Sequence, residues 1–193
     1  MEAASKIPAI MTVGEFLAWD APSGSPWQLL DGEPRAMAPA SRTHRNIQTE
    51  LGAVMRNHLR ERGGPCSVIN NPGVVPRVRS DSNFRIPDLA VTCSPYRDEE
   101  YTLTDPVLIV EILSPSNQAE TWTNVWAYTT IPSVQEILII RSTEIGAELL
   151  RRDADGNWPE RPVTLKEGLL DLQSIGFSVE LAGLYRDTRL APA

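Results

Sequence analysis

The sequence predicts an α+β fold with an α/β-like core, a mixed central β-sheet flanked by helices. Three observations predict it. Residues 41–62 repeat apolar side chains at helical spacing. Two apolar runs, 85–91 and 106–113, have the length of buried strands. Between and around them the order of elements is helix, strands, helix, central strands, helix, strands, which suits helices packed on one sheet.

Taken in order, residues 1–10 read as a loose leader, 11–186 as one domain and 187–193 as a tail. Met11 to Trp19 is a short helix with Thr12 as its cap. Trp27 to Leu30 and Glu33 to Ala38 form a hairpin across Asp31-Gly32, a pair that favours the positive φ of a tight turn. Ser41 to Arg62 is the clearest helix, with Ile47, Leu51, Val54, Met55 and Leu59 on one face; Gly63-Gly64-Pro65 stops it. Cys66 to Asn70 and Val74 to Val78 read as strands joined across Asn71-Pro72-Gly73. The two acid-bearing strands follow, separated by a polar loop with Asp98, Glu99 and Glu100. Gln118 to Tyr128 is a second long helix, with Ser116 or Asn117 as its cap. Glu136 to Arg141 is an apolar strand. Ala147 to Arg152 and Trp158 to Thr164 flank Asp155-Gly156 as a second hairpin, and Ser178 to Arg186 closes the chain as a helix.

Composition narrows the function. The chain has 193 residues, 41% of them apolar and 22% charged, which suits a soluble globular protein. A net charge of −7 opposes non-specific grip on a phosphate backbone. No apolar run approaches the roughly 20 residues of a membrane helix. No basic start followed by an apolar core opens the chain, so a cytoplasmic protein without a membrane partner is expected. Cys66 and Cys93 lack the spacing of a zinc or redox motif and are expected as two reduced, buried thiols.

The chemistry lies in two acids. Asp88 stands in Arg85-Ile86-Pro87-Asp88-Leu89-Ala90-Val91, and Glu111 follows Val107-Leu108-Ile109-Val110. A carboxylate in such a run is costly to desolvate unless a cation or a good hydrogen-bond set compensates it. Two of them one strand apart suit Mg²⁺ or Mn²⁺, which favour oxygen ligands. The alternative for Asp88 is a strand-end acid after Pro87, and for the pair, two structural acids on opposite faces of the sheet.

Pro87-Asp88 together with Glu111-Ile112-Leu113-Ser114-Pro115-Ser116 resembles the Uma2 family, placed within the PD-(D/E)XK nuclease superfamily. Leu29-Leu30-Asp31-Gly32-Glu33 is similar to its early hairpin, His44 to the histidine opening its long helix, and Tyr128 with Ile131-Pro132-Ser133 to its helix-to-strand passage. The resemblance spans about residues 10–185. It implies a restriction-endonuclease-like core and metal-assisted hydrolysis of DNA phosphodiester bonds. Asp88, Glu111 and the main-chain carbonyl of Ile112 would hold Mg²⁺ or Mn²⁺, with His44, Gln28 and Asn124 lining the same pocket. A homodimer is the expected oligomer, C₂ pairing being the commonest.

The chain departs from that pattern in two respects. The superfamily motif has a lysine two residues after the glutamate, where this chain has Leu113, and the Uma2 lysine four residues before the tyrosine is here Asn124. No lysine occurs between Lys6 and Lys166, while 16 of the 18 basic residues are Arg. Arg77, Arg79 or Arg85 can bring positive charge but not a transferable proton. The tyrosine-glutamate pair expected before the hairpin is Trp27-Gln28, one carboxylate fewer. Two functions follow: a metal-dependent endonuclease, or a nuclease fold that has lost catalysis and binds nucleic acid or protein. Trp122 and Trp126 read as helix packing, Glu33 as either a pocket or a solvent acid, and His58 as an exposed residue without a role.

Overall fold

The computed structural model describes residues 7, 10–96, 101–115 and 118–191. The expected caps Ser116 and Asn117, the acids Asp98, Glu99 and Glu100, and most of the leader lie outside the described residues.

Local signals set the first elements. Helix α1 (Val13–Ala18) starts at a reciprocal capping box: Glu15 N donates to Thr12 Oγ1 at 3.3 Å, and Thr12 N donates to Glu15 Oε2 at 2.7 Å. Strands β1 (Trp27–Leu30) and β2 (Glu33–Ala36) pair antiparallel across Asp31 and Gly32, whose φ values are 51° and 90°. Both are positive, as a tight hairpin turn requires. Helix α2 (Arg42–Arg62) is capped by Ser41, which accepts from His44 N at 3.2 Å, and stops at Gly63 with φ 70°.

The core is a six-stranded mixed sheet in the order β3-β4-β5-β6-β7-β8. Its strands are β3 (Ser67–Asn70), β4 (Leu89–Thr92), β5 (Pro106–Leu113), β6 (Glu136–Arg141), β7 (Ala147–Arg151) and β8 (Val163–Leu165). Only β5 and β6 run parallel, and helix α3 (Gln118–Tyr128) makes the crossover between them. Side chains alternate across β5, so each face has its own core. Leu108, Val110 and Ile112 join Leu51 and Met55 of α2, while Ile109 and Leu113 join Val125 and Tyr128 of α3. This is the α+β sheet with flanking helices that the sequence predicts.

Several expectations are corrected. Val74 to Val78 is no strand. Val74 makes a single bridge to Arg85, and Pro72 and Pro76 leave few donors for a ladder. Trp158 to Thr164 shortens to β8 for the same reason, with Pro159 and Pro162 in the way. Ser178 to Arg186 is not a helix. Strand β10 (Phe177–Glu180) pairs with β9 (Leu169–Leu172), and a 3-10 helix follows over Leu181–Tyr185. Buried Phe177 and half-buried Val179 alternate with exposed Ser178 and Glu180, a period of two rather than 3.6. His58 is half-buried, with Nε2 3.0 Å from the Ile175 carbonyl. Cys66 and Cys93 are joined in a disulfide. Ser67 pairs with Thr92, so the preceding and following residues face each other at the strand ends, a register that 27 residues of separation conceal. The thiols therefore no longer support a cytoplasmic compartment. Among the described residues no helix is long and apolar enough to cross a membrane.

Gly73 fixes the segment that delivers Arg85. A Cβ there would lie 2.1 Å from Phe84 Cζ and 2.6 Å from the Tyr101 carbonyl oxygen. Gly73→Ala is expected to cost about 1–3 kcal/mol through overpacking, read from the urea midpoint. An unchanged midpoint would mean that the Phe84 ring and the 101–103 backbone yield freely.

Candidate active site

Strand register brings the two acids together. Leu89 of β4 pairs with Val110 of β5, so Asp88, one residue before β4, arrives at the end of the ladder where Glu111 follows Val110. Both are buried, at 7% and 6% exposure. Both line a cavity of about 480 Å³ between the sheet, the start of α2, α3 and the β1–β2 hairpin. Gln28, His44 and Asn124 line it too. All five side chains that the sequence singles out thus open on one cavity.

Each acid is held from several elements. Asp88 Oδ2 accepts from Ile112 N at 2.7 Å, and Oδ1 lies 2.8 Å from His44 Nε2. The helix cap at Ser41 places His44 at this point, on the first turn of α2. One turn on, Gln48 Nε2 donates to the Asp88 carbonyl at 2.7 Å. Glu111 Oε1 accepts from the Tyr128 hydroxyl at 2.8 Å, and the Asn124 amide stands beside the same carboxylate and favours its charged form. Burial, then the charge of Asp88, push the Glu111 carboxyl well above the usual carboxylate range. Burial, then Glu111, push the Tyr128 phenol well above its usual value.

Other expected participants lie elsewhere. Glu33 is exposed and pairs with Arg35 at 2.9 Å. Arg79 pairs with Asp31 at 3.0 Å on the surface, and Arg77 is exposed. Arg85 is buried at 3% exposure. Trp122 packs against the α3-side core, and Trp126 is 47% exposed.

Sequence reasoning misses Glu120. It lines the cavity and accepts a hydrogen bond from Gln28 Nε2. A carboxylate thus enters from α3 beside the position where the hairpin carries an amide. The signal was present: Glu120, Asn124 and Tyr128 are spaced four apart, one face of a helix. Gln48 carries the same signal, four residues after His44.

The donor chemistry fits a hard divalent cation. Among the described residues no three His, Cys, Asp or Glu side chains cluster closely enough to hold a metal by themselves. Mg²⁺ needs fewer, since it keeps several waters and binds through one or two carboxylates. Further oxygens are at hand. The N–H of Ile112 points to Asp88, and the C=O of a strand residue points the same way as its N–H. Gln28 is 1% exposed and its Oε1 has no hydrogen-bond partner. An orphaned buried acceptor in the cavity that both carboxylates line is what an oxygen-seeking cation satisfies.

Comparison with known proteins agrees with the architecture. Residues 13–182 match the Uma2 family, described as "Putative restriction endonuclease". An uncharacterised protein of Synechocystis sp., slr1290, is 33% identical over 175 residues, covering 89% of this chain and 90% of that protein. A crystal structure from Anabaena variabilis, titled a putative nuclease belonging to DUF820, superposes with a TM-score of 0.73. It is 16% identical and covers 91% of this chain and 97% of its own.

Proposed function

We propose that this chain, which belongs to the Uma2 family, is a divalent-metal-dependent endonuclease that hydrolyses DNA phosphodiester bonds. One observation carries the reading: Asp88, just before β4, and Glu111 of β5 adjoin the paired Leu89 and Val110 and open on one shared cavity.

Asp88, Glu111 and the Ile112 carbonyl would hold Mg²⁺ or Mn²⁺, with Gln28 Oε1 as a further oxygen. When bound, such an ion polarises a phosphoryl oxygen and acidifies a water. The chain's own residues prepare the place. Ile112 N and His44 fix the Asp88 carboxylate. Tyr128 fixes that of Glu111, with the Asn124 amide beside it. His44 and Asn124 then orient the attacking water at the cavity wall, His44 through the ring that also meets Asp88.

A second reading, a nuclease fold that binds nucleic acid or protein without cutting, draws on one observation. The described site contains no lysine, and Lys166 follows β8 at the far edge of the sheet. The test is incubation of plasmid and single-stranded DNA with Mn²⁺ at high protein concentration and long times, beside Asp88→Ala. Strand scission by the parent and none by the variant is expected. Equal scission by both would remove Asp88 from the reaction. No scission by either, with DNA or a protein still bound, would establish the second reading.

A further inference from the structure

Arg85 is a buried cation held by neutral partners. Its backbone exchanges two hydrogen bonds with Val74, each 2.8 Å, which carries the side chain inward. Nη1 donates to Asn124 Oδ1 at 2.5 Å, and Nη2 donates to Asn83 Oδ1 at 2.7 Å. Nε is buried without a partner. Buried arginines ordinarily find a carboxylate. Here the charges of Asp31, Glu120 and Glu111, in that order, act on Arg85 from a distance while amides hold it.

Asn83 is a rigid anchor. It is fully buried, and its Nδ2 donates to Asp31 Oδ1 at 3.0 Å and to the carbonyls of Val78 and Arg79, both at 3.2 Å. Its Oδ1 also accepts from Asp31 N at 3.1 Å. The hairpin turn thereby sets the guanidinium plane.

An amide has one acceptor end and one donor end. With Oδ1 taken by Arg85, Asn124 can offer only its NH₂ to Glu111, beside which it lines the cavity. We propose that Arg85 is a positioning residue, which locks the Asn124 amide in the orientation that donates to Glu111 and places fixed positive charge behind the cavity wall. An arginine in direct bidentate contact with Glu111 would occupy the carboxylate oxygens themselves. The amide between them keeps the charge close and leaves Glu111 open to a cation. The inference rests on the proposed metal site, and its test separates the two.

The full chain, labelled with ¹⁵N at asparagine, reports the Asn124 side-chain amide directly. In the parent, the Asn124 Nδ2 protons should exchange with solvent at least about tenfold more slowly than those of exposed Asn157, and Arg85→Lys or Arg85→Met should abolish that difference. In a second, uniformly ¹⁵N-labelled sample the backbone amides of β7 and β8 should keep their shifts, which shows that the variants fold. Should Arg85→Met fail to fold, Arg85→Lys retains the charge and loses the planar fork. Titration calorimetry with Mn²⁺ then compares parent, Arg85→Met, Asn124→Ala and the double variant. Each single change should weaken binding about tenfold, the scale of an outer partner of a metal ligand. The double change should be no weaker than either, because both break one relay. A parent Asn124 amide that exchanges freely, or an additive loss of about a hundredfold in the double variant, would overturn the proposal. If the amide is locked by Arg85 but the parent binds no Mn²⁺, the metal-dependent reading fails and the positioning role stands.

Discussion

Glu111→Gln is expected to melt at a higher temperature than the parent in metal-free buffer at pH 8, and to gain nothing from Mn²⁺. The side chain is buried, and its carboxyl is held well above the ordinary value of 4.5 by burial first and by Asp88 second. The folded state therefore keeps the proton to a higher pH than the unfolded state. Its contribution to stability is complete below about pH 4.5 and is lost as pH rises through the folded value. Glutamine still accepts from Tyr128 through its amide oxygen and carries no charge against Asp88. Between pH 5 and pH 8 the parent should lose midpoint more steeply than the variant, by about 2–4 °C for each kcal/mol removed. With Mn²⁺ at 100 times its Kd the parent regains about 2.7 kcal/mol, and the variant, lacking one of two carboxylates, does not. Cleavage should vanish with the metal response. Calorimetric melts of both proteins across pH, with and without Mn²⁺, decide it. A variant that melts below the parent at pH 8, or that is stabilised equally by Mn²⁺, would mean that Glu111 is a structural acid.

Leu51→Ala should cost about 2–5 kcal/mol while leaving the site's chemistry nearly intact. Leu51 is fully buried at the middle of α2, in the cluster that includes Leu89, Leu108 and Leu138 of three adjacent strands. Truncation leaves a cavity between two rigid layers, a helix and a sheet, which close around it only in part. His44 lies two turns away and is held by Asp88, so the folded fraction should bind Mn²⁺ with the parent's Kd. Urea denaturation should show a lower midpoint at unchanged slope, the sign of lost stability without a change of folded state. A loss below 1 kcal/mol would show that α2 settles onto the sheet.

The parts of the site legible in the sequence were those with a local signature. Asp88 after a proline and Glu111 after four apolar residues are acids where strands are buried, and that oddity is visible without coordinates. His44 was legible through its resemblance to the histidine that opens the long helix of the Uma2 family. The cations were less so: three arginines were equal candidates, and only the Val74–Arg85 bridge turns one of them inward. Glu120 escaped because an acid in the first turn of a helix is ordinary, and its distinction appears only through the i, i+4 row it shares with Asn124 and Tyr128. The misread closing helix has a similar cause. Leu181, Leu184 and Tyr185 are spaced for a helix, but pairing of Phe177–Glu180 with Leu169–Leu172 claims the backbone before them.

By itself the sequence determined the long helix, the Asp31-Gly32 hairpin, the strand character around both acids and hence the α+β sheet, since periodicity, caps and turn residues act over a few positions. The tertiary structure alone decided the pairings: Gln28 with Glu120 across 92 residues, Arg85 with Asn124 across 39, and Cys66 with Cys93 across 27. Strand register and the seating of α3 choose those partners, and both are set by how the two apolar faces of the sheet pack, a sum over many distant contacts that no short window of residues contains.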